Sequence, residues 1–412
     1  MFNSVYEKPL HYAHPWDLNF ERRYEALMKR PRRVAYFYEK PDSTTFRYRV
    51  FNMSQALEAD TVADVSASWF FREDMPHMAR IVDRVDALVF CRTHFSPSIG
   101  ALIDRARRRG VRVLFDVDDL VFDTDYVHLI LSSLDQDANN ESALNGWFAS
   151  IARQGTLLKM CDGAIVTNAF LGDRIRAFAP SLPVSTVPNF LNRDQQAISE
   201  RMFEQKQERD FESSQPFHIG YFSGTPTHRR DFDIAAPALA RLLRDDSRLR
   251  LLIVGALESA AILKPYKHRI DRYPLQDYMN LQRLIARTEL NIGPLLDNPF
   301  TNCKSELKFF EAAITGTVTI ASPTYAFRQA ISDGVTGLLS RSHEWHTKLE
   351  RAVELLDDRQ RYANMSVAAY EHARNVYGWN RQTAAIQRAL FGNAAEQRLT
   401  QTDGKAEVSV AT

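Results

Sequence analysis

The feature that most constrains the fold of this chain is a repeated alternation of short apolar segments with amphipathic ones. Residues 34–38, 87–91 and 111–115 are mostly aliphatic or aromatic, and each is followed along the chain by a segment with helical periodicity. Strands that alternate with helices in this way form parallel sheets covered by helices on both faces. The pattern therefore predicts an α/β fold of doubly wound parallel sheets.

The alternation stops at a polar, charged stretch over 188–215 and restarts near His218. A chain of 412 residues exceeds one ordinary core, so two domains are expected. The predicted division is a Rossmann-like domain at 1–190, a linker at 191–215, a second Rossmann-like domain at 216–378, a helix at 379–392 that returns to the first domain, and a disordered tail at 393–412. Two such domains predict a cleft between the carboxyl edges of their sheets, where doubly wound sheets bind ligands.

Charge and composition exclude some classes of protein. The formal net charge of +1 argues against a dedicated nucleic-acid binder. Three cysteines without CxxC spacing indicate neither disulfides nor a zinc site. The N-terminal residues lack the apolar core of a signal peptide, and no apolar run reaches the length of a membrane span. A cytoplasmic location is therefore expected.

Basic residues cluster in the first half of the chain. The clusters are Arg22, Arg23, Lys29, Arg30, Arg32 and Arg33, and then Arg105, Arg107, Arg108 and Arg109. Such clusters are usually a solvated face, but they also suit contact with an anionic lipid surface or a polyanionic acceptor. Peripheral attachment to the inner face of a membrane through the N-terminal residues is therefore one of two open interpretations.

The segment at 302–316 combines a helical period with cations in unusual positions. It is predicted to form one helix that ends at Gly316 and leads into a buried strand. Lys304, Lys308 and Glu311 fall on one side of this helix. A lysine in the first turn opposes the helix dipole and a second lysine repels the first, but both effects reverse if phosphate binds at the helix N-terminus. The alternative is a Lys308–Glu311 surface pair on an ordinary helix.

A loop rich in glycine and hydroxyl side chains, at 220–230, leads from a predicted strand to a helix and ends in Arg229 and Arg230. Backbone N–H groups in such a loop can approach a diphosphate closely, and arginine can hold its negative charge. The loop contains neither a GxGxxG motif nor a P-loop, which excludes those two nucleotide fingerprints. A turn with a surface arginine pair is the alternative.

Further segments share one known pattern. They are 161–168 (CDGAIVTN), 187–189 (VPN), 311–313 (EAA) with its following glycine and strand, 332–339 (SDGVTGLL) and 377–379 (YGW). Together they resemble the donor-binding domain of GT-B glycosyltransferases, in particular the retaining family four. In that family the helix carries two glutamates separated by seven residues; Glu311 fits the second, and Cys303 stands in place of the first. A subgroup with a Lys-Ser-x-x-Lys-x-x-Glu pattern is more similar, and Lys304, Ser305 and Lys308 complete that pattern with Glu311.

This resemblance implies transfer of a sugar from a nucleotide-sugar donor to a glycan or lipid-linked acceptor, with retention of configuration and with no metal or other cofactor. The expected setting is synthesis of a surface polysaccharide, such as O-antigen, capsule or exopolysaccharide. Glu311 would contact the donor ribose, and Lys304 and Arg229 would neutralise the departing diphosphate. The other residues assigned to the donor are Gly224, Thr225, Thr227, His228, Arg230, Tyr273, Pro274, Ser305 and Lys308.

Polar side chains also follow two strands of the predicted first domain. Asp116, Asp118 and Asp119 follow one strand, and His94 follows another. Under the GT-B interpretation they lie on the acceptor side, where Asp118 and His94 are candidates for catalysis and Asp116 and Asp119 for contacts with acceptor hydroxyls. A structural cap and a structural histidine are the simplest alternatives.

The aspartate cluster also keeps other functions open. A DxD holds a metal and the donor diphosphate in metal-dependent glycosyltransferases. A strand followed by DxD also begins phosphatases of the haloacid dehalogenase type, in which the first aspartate is the nucleophile. Cys303 suggests a third possibility, a sugar-binding relative that has lost catalysis.

Overall fold

The computed structural model describes residues 1–5, 8–60, 64–137, 139–223, 229–255, 257 and 260–392. The predicted donor residues Gly224, Thr225, Thr227 and His228 and the tail at 393–412 lie outside the described residues. Within the described part of the chain, no helix combines the length and the apolar character that crossing a membrane requires.

The first half of the chain builds a parallel sheet of six strands, as the alternation predicts. The strands are β1 (Arg32–Phe37), β2 (Val65–Phe70), β3 (Ala87–Cys91), β4 (Arg112–Val117), β5 (Gly163–Val166) and β6 (Val184–Thr186). Their order across the sheet is β2-β1-β3-β4-β5-β6. Phe37 pairs with Phe90, and Cys91 pairs with Asp116, so the carboxyl ends of β1, β3 and β4 lie side by side.

The second half builds another parallel sheet of six strands. The strands are β7 (Phe217–Phe222), β8 (Leu249–Val254), β9 (Ile270–Tyr273), β10 (Leu290–Gly293), β11 (Val318–Ala321) and β12 (Leu338–Leu339). Their order is β12-β11-β10-β7-β8-β9. Phe222 pairs with Val254, which pairs with Tyr273, so the ends of β7, β8 and β9 are neighbours at the carboxyl edge.

Helices connect and cover the strands. They are α1 (Phe20–Met28), α2 (Asn52–Ala59), α3 (Met75–Val82), α4 (Pro97–Arg108), α5 (Val127–Ser133), α6 (Glu141–Met160), α7 (Ala169–Phe178), α8 (Arg193–Gln207), α9 (Arg229–Asp245), α10 (Tyr278–Arg287), α11 (Pro299–Asn302), α12 (Leu307–Ala313), α13 (Tyr325–Ala330), α14 (Trp345–Asp357), α15 (Arg359–Tyr377) and α16 (Thr383–Phe391). Shorter helical segments are a π-helix at Arg47–Phe51 and 3₁₀ segments at Arg72–Asp74, Thr124–Tyr126 and Ala261–Arg269.

The chain folds into two compact units, one around each sheet. The first-sheet unit contains Trp16–Phe122, Ser150–Pro188 and, among the described residues, 380–392. The second-sheet unit contains Met1–Pro15, Asp123–Ala149 and Asn189–Trp379. Met1–Pro15 and Asp123–Ala149 thus group with the second sheet, although the sequence analysis assigns both to the first domain.

The stretch predicted as a linker is part of a folded core. It forms α8, which begins at Asn192, whose side chain accepts a hydrogen bond from the Gln195 backbone. Ile198, Met202 and Phe203 on α8 pack into the hydrophobic core of the second-sheet unit. The charged residues that suggested a linker are mostly exposed on this helix, whereas Gln195, Ser199 and Lys206 are polar residues that the fold buries.

Candidate functional site

The helix predicted at 302–316 is interrupted. α11 ends before Lys304, and α12 begins three residues after it. Asn298 starts the earlier helix, because its side chain accepts a hydrogen bond from the Thr301 backbone at 3.0 Å. The helical periodicity of 302–316 gives no sign of this separate helix start at Asn298. Lys304 and Ser305 therefore lie in the turn between two helices and not in the first turn of one.

Lys308, in the first turn of α12, points its ammonium group into the second-sheet unit. Its Nζ donates a hydrogen bond to the carbonyl oxygen of Phe222 at the end of β7 and lies 4.9 Å from the centre of the Tyr221 ring. Burial lowers the pKa of Lys308 to about 8, while the carboxylates of Glu311 and Asp231 oppose this shift. A cation at the carboxyl end of a parallel strand lies where doubly wound sheets bind ligands.

Glu311 lies almost one turn further along α12 and is only 5% exposed. Gln195 of α8 donates from Nε2 to Glu311 Oε1 at 3.1 Å. Gln195 is 116 residues away in the sequence, within the stretch predicted as a linker, so no local signal points to this contact. The carboxylate and the Lys308 ammonium therefore belong to one partly covered polar cluster.

The turn that carries Lys304 and Ser305 is held by a side chain from a distant segment. Asn189 donates from Nδ2 to Ser305 Oγ at 3.0 Å. The Nζ of Lys304 lies 4.5 Å from the centre of the Phe300 ring, a cation–π distance. Lys304 also contributes to the lowering of the Lys308 pKa, so the two lysines share one electrostatic environment.

Glu306 is a buried carboxyl group in the same turn that sequence reasoning missed. Burial raises the pKa of Glu306 to about 7, and a hydrogen bond with the Tyr377 side chain opposes this shift. Its second oxygen, Oε2, is buried without a hydrogen-bond partner among the described residues. Tyr377 also stacks on Phe310 of α12, with ring centres 4.8 Å apart. The end of α15 thus supports the turn between α11 and α12.

Arg229 and Arg230 form the start of α9 and not the end of the loop where the sequence analysis put them, and both are about half exposed. Arg229 lies 3.5 Å and Arg230 3.2 Å from carboxylate oxygens of Asp135. Arg230 also donates to Ser132 Oγ at 2.7 Å. Both partners lie in Asp123–Ala149, which the sequence analysis assigned to the other domain, so these contacts were not anticipated.

Tyr273 and Pro274, assigned to the donor, lie exposed at and just after the end of edge strand β9. The Tyr273 carbonyl accepts a hydrogen bond from the Gly255 backbone at 3.0 Å. Gly255 has a φ of 103°, and a Cβ there would lie 2.0 Å from the carbonyl oxygen of Ser223. Only glycine allows this approach, which brings the ends of β7, β8 and β9 together.

Asp116, predicted to contact the acceptor, lies inside the core of the first-sheet unit. Its two oxygens accept hydrogen bonds from Arg49 at 2.7 and 3.0 Å, and both side chains have no exposed surface. Burial raises the pKa of Asp116 to about 6, and Arg49 opposes this shift. The assignment of Asp116 to acceptor binding is therefore wrong, because the carboxylate is enclosed and fully paired.

Asp118 and Asp119 share a cation. Arg92 Nε lies 2.6 Å from Asp118 Oδ1, and its Nη2 lies 3.4 Å from Asp119 Oδ2. Thr45 donates to Asp118 Oδ2 at 3.2 Å. Both carboxylates are thus engaged within the first-sheet unit, and Arg92 is a partner that the spacing of the aspartates does not reveal.

His94 is the centre of a three-residue hydrogen-bonded chain. Its Nδ1 lies 2.7 Å from Glu39 Oε1, and its Nε2 lies 2.8 Å from Ser150 Oγ. The hydrogen bond from His94 lowers the pKa of Glu39. Glu39 and Ser150 escaped the sequence analysis because each lies more than fifty residues from His94.

Solved structures of other proteins share this architecture. Sucrose-phosphate synthase from Thermosynechococcus elongatus aligns with a TM-score of 0.57 at 14% identity, over 89% of this chain and 99% of that chain. HepE from Anabaena, solved in complex with UDP and glucose, aligns with a TM-score of 0.56 at 11% identity, over 87% of this chain and 98% of that chain. The two six-stranded parallel sheets with their helices are the GT-B fold, which confirms the predicted fold class.

Sequence comparison finds a family match within the second-sheet unit. Residues 216–358 match the family model described as "Glycosyl transferases group 1". The D-inositol 3-phosphate glycosyltransferase of Nocardia farcinica is 29% identical over 160 residues, which are 36% of this chain and 34% of that protein. The chain spans little more than a third of the length of the curated relatives it matches. The matched segment contains Lys304, Ser305, Lys308 and Glu311.

Proposed function

We propose that this protein is a glycosyltransferase that moves a sugar from a nucleotide-sugar donor to a glycan or lipid-linked acceptor. The observation that carries the proposal is the cluster of Lys304, Lys308 and Glu311 at the carboxyl edge of the second sheet, inside the segment that matches group 1 glycosyltransferases. Nucleotides bind doubly wound sheets at this edge. The UDP and glucose bound by HepE, a protein with the same fold, support a nucleotide-sugar donor.

Within this proposal the two lysines hold the leaving nucleoside diphosphate. Lys308 is largely withdrawn from solvent, so its charge is weakly screened and stabilises negative charge that develops nearby. Lys304 and Arg229 add positive charge, and Glu311 accepts hydrogen bonds from the donor ribose. Side chains in fixed positions can stabilise the leaving group without a metal ion, so no metal or other cofactor is part of the proposal.

The finer parts of the proposal concern stereochemistry and setting. Retention of configuration follows the family whose Lys-Ser-x-x-Lys-x-x-Glu pattern the chain resembles. Synthesis of a surface polysaccharide or lipopolysaccharide, at a cytoplasmic site, is the setting that we propose.

Membrane contact through the N-terminal basic residues is not needed by the proposal, because several of these residues already have internal partners. Arg23 forms an ion pair of 2.6 Å with Asp74 in the interior, and Lys29 forms one of 2.9 Å with Glu58. Arg30 donates hydrogen bonds to three backbone carbonyls. These contacts leave fewer free cations for a lipid surface than the sequence alone suggests.

The two alternative functions make different demands. A DxD phosphatase requires Asp116 as an accessible nucleophile, whereas Asp116 is enclosed and bound by Arg49. A sugar-binding relative without catalysis is consistent with a buried cysteine at position 303 in place of a glutamate. This second alternative is the one that the experiment must separate from an enzyme.

A panel of nucleotide sugars tests the proposal. UDP-, GDP-, dTDP- and CMP-activated sugars are screened by thermal shift, and every sugar that stabilises the protein is then assayed for slow hydrolysis. If the protein is an enzyme, its donor should raise the melting temperature, and the protein should release free sugar from that donor. Addition of EDTA should not stop this release. Stabilisation without any hydrolysis identifies a binder, and a requirement for magnesium with no response to nucleotide sugars favours the phosphatase.

Variants then localise the site. Lys304→Ala and Glu311→Gln, which keeps the volume of the buried side chain, should each abolish turnover of the donor found in the panel, while the melting temperature without ligand stays close to wild type. Lys348→Ala is the matched control, since Lys348 is a half-buried lysine paired with Asp333 in the same unit, outside the cluster. Wild-type turnover in the Lys304 and Glu311 variants would reject the assigned site.

A further inference from the structure

The segment at 189–195, which leads into α8, runs alongside the turn that leads into α12. Asn189 donates from Nδ2 to Ser305 Oγ at 3.0 Å, and Gln195 donates from Nε2 to Glu311 Oε1 at 3.1 Å. Each contact spans 116 residues, so the two segments advance together. All four residues belong to the second-sheet unit. The segment around Gln195 is therefore one side of the candidate donor site, packed against the helix that carries Glu311.

The hydrogen bond to Glu311 fixes how the Gln195 amide is turned. A carboxylate has only acceptor atoms, so the amide must present its nitrogen to Glu311, and its oxygen then faces elsewhere. Gln195 has no exposed surface, and Oε1 is buried without a hydrogen-bond partner among the described residues. Buried amide oxygens nearly always accept a hydrogen bond. The contact with Glu311 thus leaves the acceptor of Gln195 unsatisfied.

Asn192, three residues before Gln195, shows the same feature with the opposite polarity. Its Oδ1 accepts the backbone N–H of Gln195 at 2.8 Å and caps α8. Its Nδ2 is buried and has no partner in the part of the chain that the structure describes. Unpaired buried polar groups lower the stability of a free protein, so two of them beside a candidate site indicate that these amides serve function and not stability.

We propose that Gln195 is a positioning residue that holds the Glu311 carboxylate towards the donor ribose, and that this contact makes the site select ribonucleotide over 2′-deoxyribonucleotide donors. The inference rests on the proposed function, in which Glu311 accepts hydrogen bonds from the ribose. The terminal bond of a glutamate side chain rotates easily, and the N–H of Gln195 restrains it. A carboxylate that is already oriented loses little freedom when the ribose binds.

The chemistry of the sugar explains why the orientation matters. Ribose offers two adjacent hydroxyl groups that can each donate a hydrogen bond, and 2′-deoxyribose keeps only one of them. A site built to pair with a hydroxyl rejects the analogue that lacks it, because a polar atom of the site is then left unpaired. A Glu311 carboxylate that can rotate finds other partners, so the selection should weaken when the Gln195 amide is removed.

Binding of the nucleoside diphosphate tests this role without knowledge of the acceptor. The diphosphate of the panel donor and its 2′-deoxy form are the probes, and calorimetry measures both dissociation constants. Wild type should bind the ribose form about tenfold or more tightly than the deoxy form. In Gln195→Met, the ribose form should bind about tenfold more weakly, whereas the deoxy form should change by less than about twofold. The melting temperature should stay close to wild type, because an unpaired oxygen is lost together with the hydrogen bond.

Gln196→Met is the matched control, since Gln196 is the next residue of α8 and its side chain bonds Glu200 and the Trp379 backbone instead of Glu311. Its ratio of the two dissociation constants should equal that of wild type. A wild type that does not distinguish the two forms, or a Gln195→Met protein in which both forms bind unchanged or weaken equally, overturns the inference and leaves the proposed function standing. A wild type that binds no nucleoside diphosphate and turns over no nucleotide sugar overturns both.

Gln195→Glu keeps the test decisive if Gln195→Met does not fold. The introduced carboxyl group donates a hydrogen bond only when it is protonated, and two neighbouring carboxyl groups hold a shared proton. The preference of Gln195→Glu for ribose should therefore return as pH falls from about 8 to 5. Lys308 acts on the diphosphate of both forms, so its charge does not alter their ratio. A ratio in Gln195→Glu that stays at the wild-type value, or that does not respond to pH, would contradict the role given to Gln195.

Discussion

Lys308 shows how a single residue near the candidate donor site can favour a ligand at a cost to the free protein. Its ammonium group is largely withdrawn from water and bonded to the Phe222 carbonyl, and its pKa falls from 10.5 to about 8. The folded protein therefore holds the charged form of Lys308 less favourably than the unfolded chain does. A bound diphosphate would make the charged form of Lys308 favourable in the folded protein, because it supplies the counter-charge.

The sign of this effect predicts a pH dependence. Between about pH 8 and 10.5 the unfolded chain binds more protons at this lysine than the folded protein does. The free energy of unfolding therefore increases as pH rises through that window, so the folded protein becomes more stable. Each unit of pKa difference corresponds to about 1.4 kcal/mol. Lys308→Met should lack this gain in urea titrations at pH 7, 8, 9 and 10, and Lys348→Met should keep it.

Binding should respond in the opposite direction. As pH rises through about 8, wild-type Lys308 loses its charge, so affinity for the donor should fall, whereas Lys308→Met should bind weakly at every pH. Thermal shift with the donor at the same pH values measures this difference. Parallel curves for wild type and Lys308→Met in both experiments would contradict the buried-cation account.

The range of each interaction decides how much of the site the sequence predicts. The spacing of Lys304, Lys308 and Glu311 is local, and the structure keeps Lys308 and Glu311 in one electrostatic cluster. Gln195 and Asn189, which each lie 116 residues from their partners at the site, leave no local trace. Long-range pairs of this kind depend on the tertiary fold, which periodicity does not specify.

At the scale of elements, the segment at 302–316 shows where periodicity misleads. Apolar spacing is continuous across the break between α11 and α12, so the sequence predicts one helix where the structure has two. The predicted end of the helix, at Gly316, is close to the end that the structure has. α12 is capped at Ile314, and two residues later Gly316 takes a φ of 68°, a conformation that favours glycine.

Gly316 also lies in a crowded place, and this predicts a difference between two glycines. A Cβ at Gly316 would lie 2.8 Å from both the Phe203 ring and Ser366 Oγ. Gly110 has nearly the same φ, 69°, but no described atom lies within 4 Å of its built Cβ. Gly110→Ala should cost about 1–2 kcal/mol from the backbone alone, whereas Gly316→Ala should cost about 2–4 kcal/mol because packing must also shift.

Urea unfolding of the two alanine variants measures this difference. The matched φ values make Gly110→Ala the control for backbone strain, so the excess in Gly316→Ala reports how tightly the turn after α12 packs against α8 and α15. Equal losses in the two variants would mean that Phe203 and Ser366 move aside without cost, and that the turn after α12 is less tightly packed than its contacts indicate.

At the scale of the whole molecule, the alternation of strands and helices was sufficient to predict two parallel sheets, because a parallel strand needs a crossover connection that returns the chain to the same edge. The assignment of segments to units was harder. Met1–Pro15 and Asp123–Ala149 group with a sheet that the chain builds only later. Their sequence neighbours belong to the other unit, so sequence order alone assigns them to the wrong one.

The buried Arg49–Asp116 ion pair predicts that Asp116 stabilises the first-sheet unit and takes no part in the chemistry. Both side chains are without exposed surface and are bonded through two hydrogen bonds. Asp116→Asn leaves the Arg49 cation enclosed without a full counter-charge, and breaking a buried pair in this way costs about 3–5 kcal/mol. Domains are stable by only about 5–15 kcal/mol, so this loss should be evident in the urea midpoint of the whole chain.

Asp83→Asn is the matched control, because Asp83 also faces arginine side chains, those of Arg105 and Arg109, but at the surface. Exposed pairs contribute little, so Asp83→Asn should leave the midpoint almost unchanged. Donor binding by folded Asp116→Asn should persist, since Lys304, Lys308 and Glu311 belong to the second-sheet unit. An Asp116→Asn protein with wild-type stability and no activity would contradict the structural role of this aspartate and return it to the chemistry.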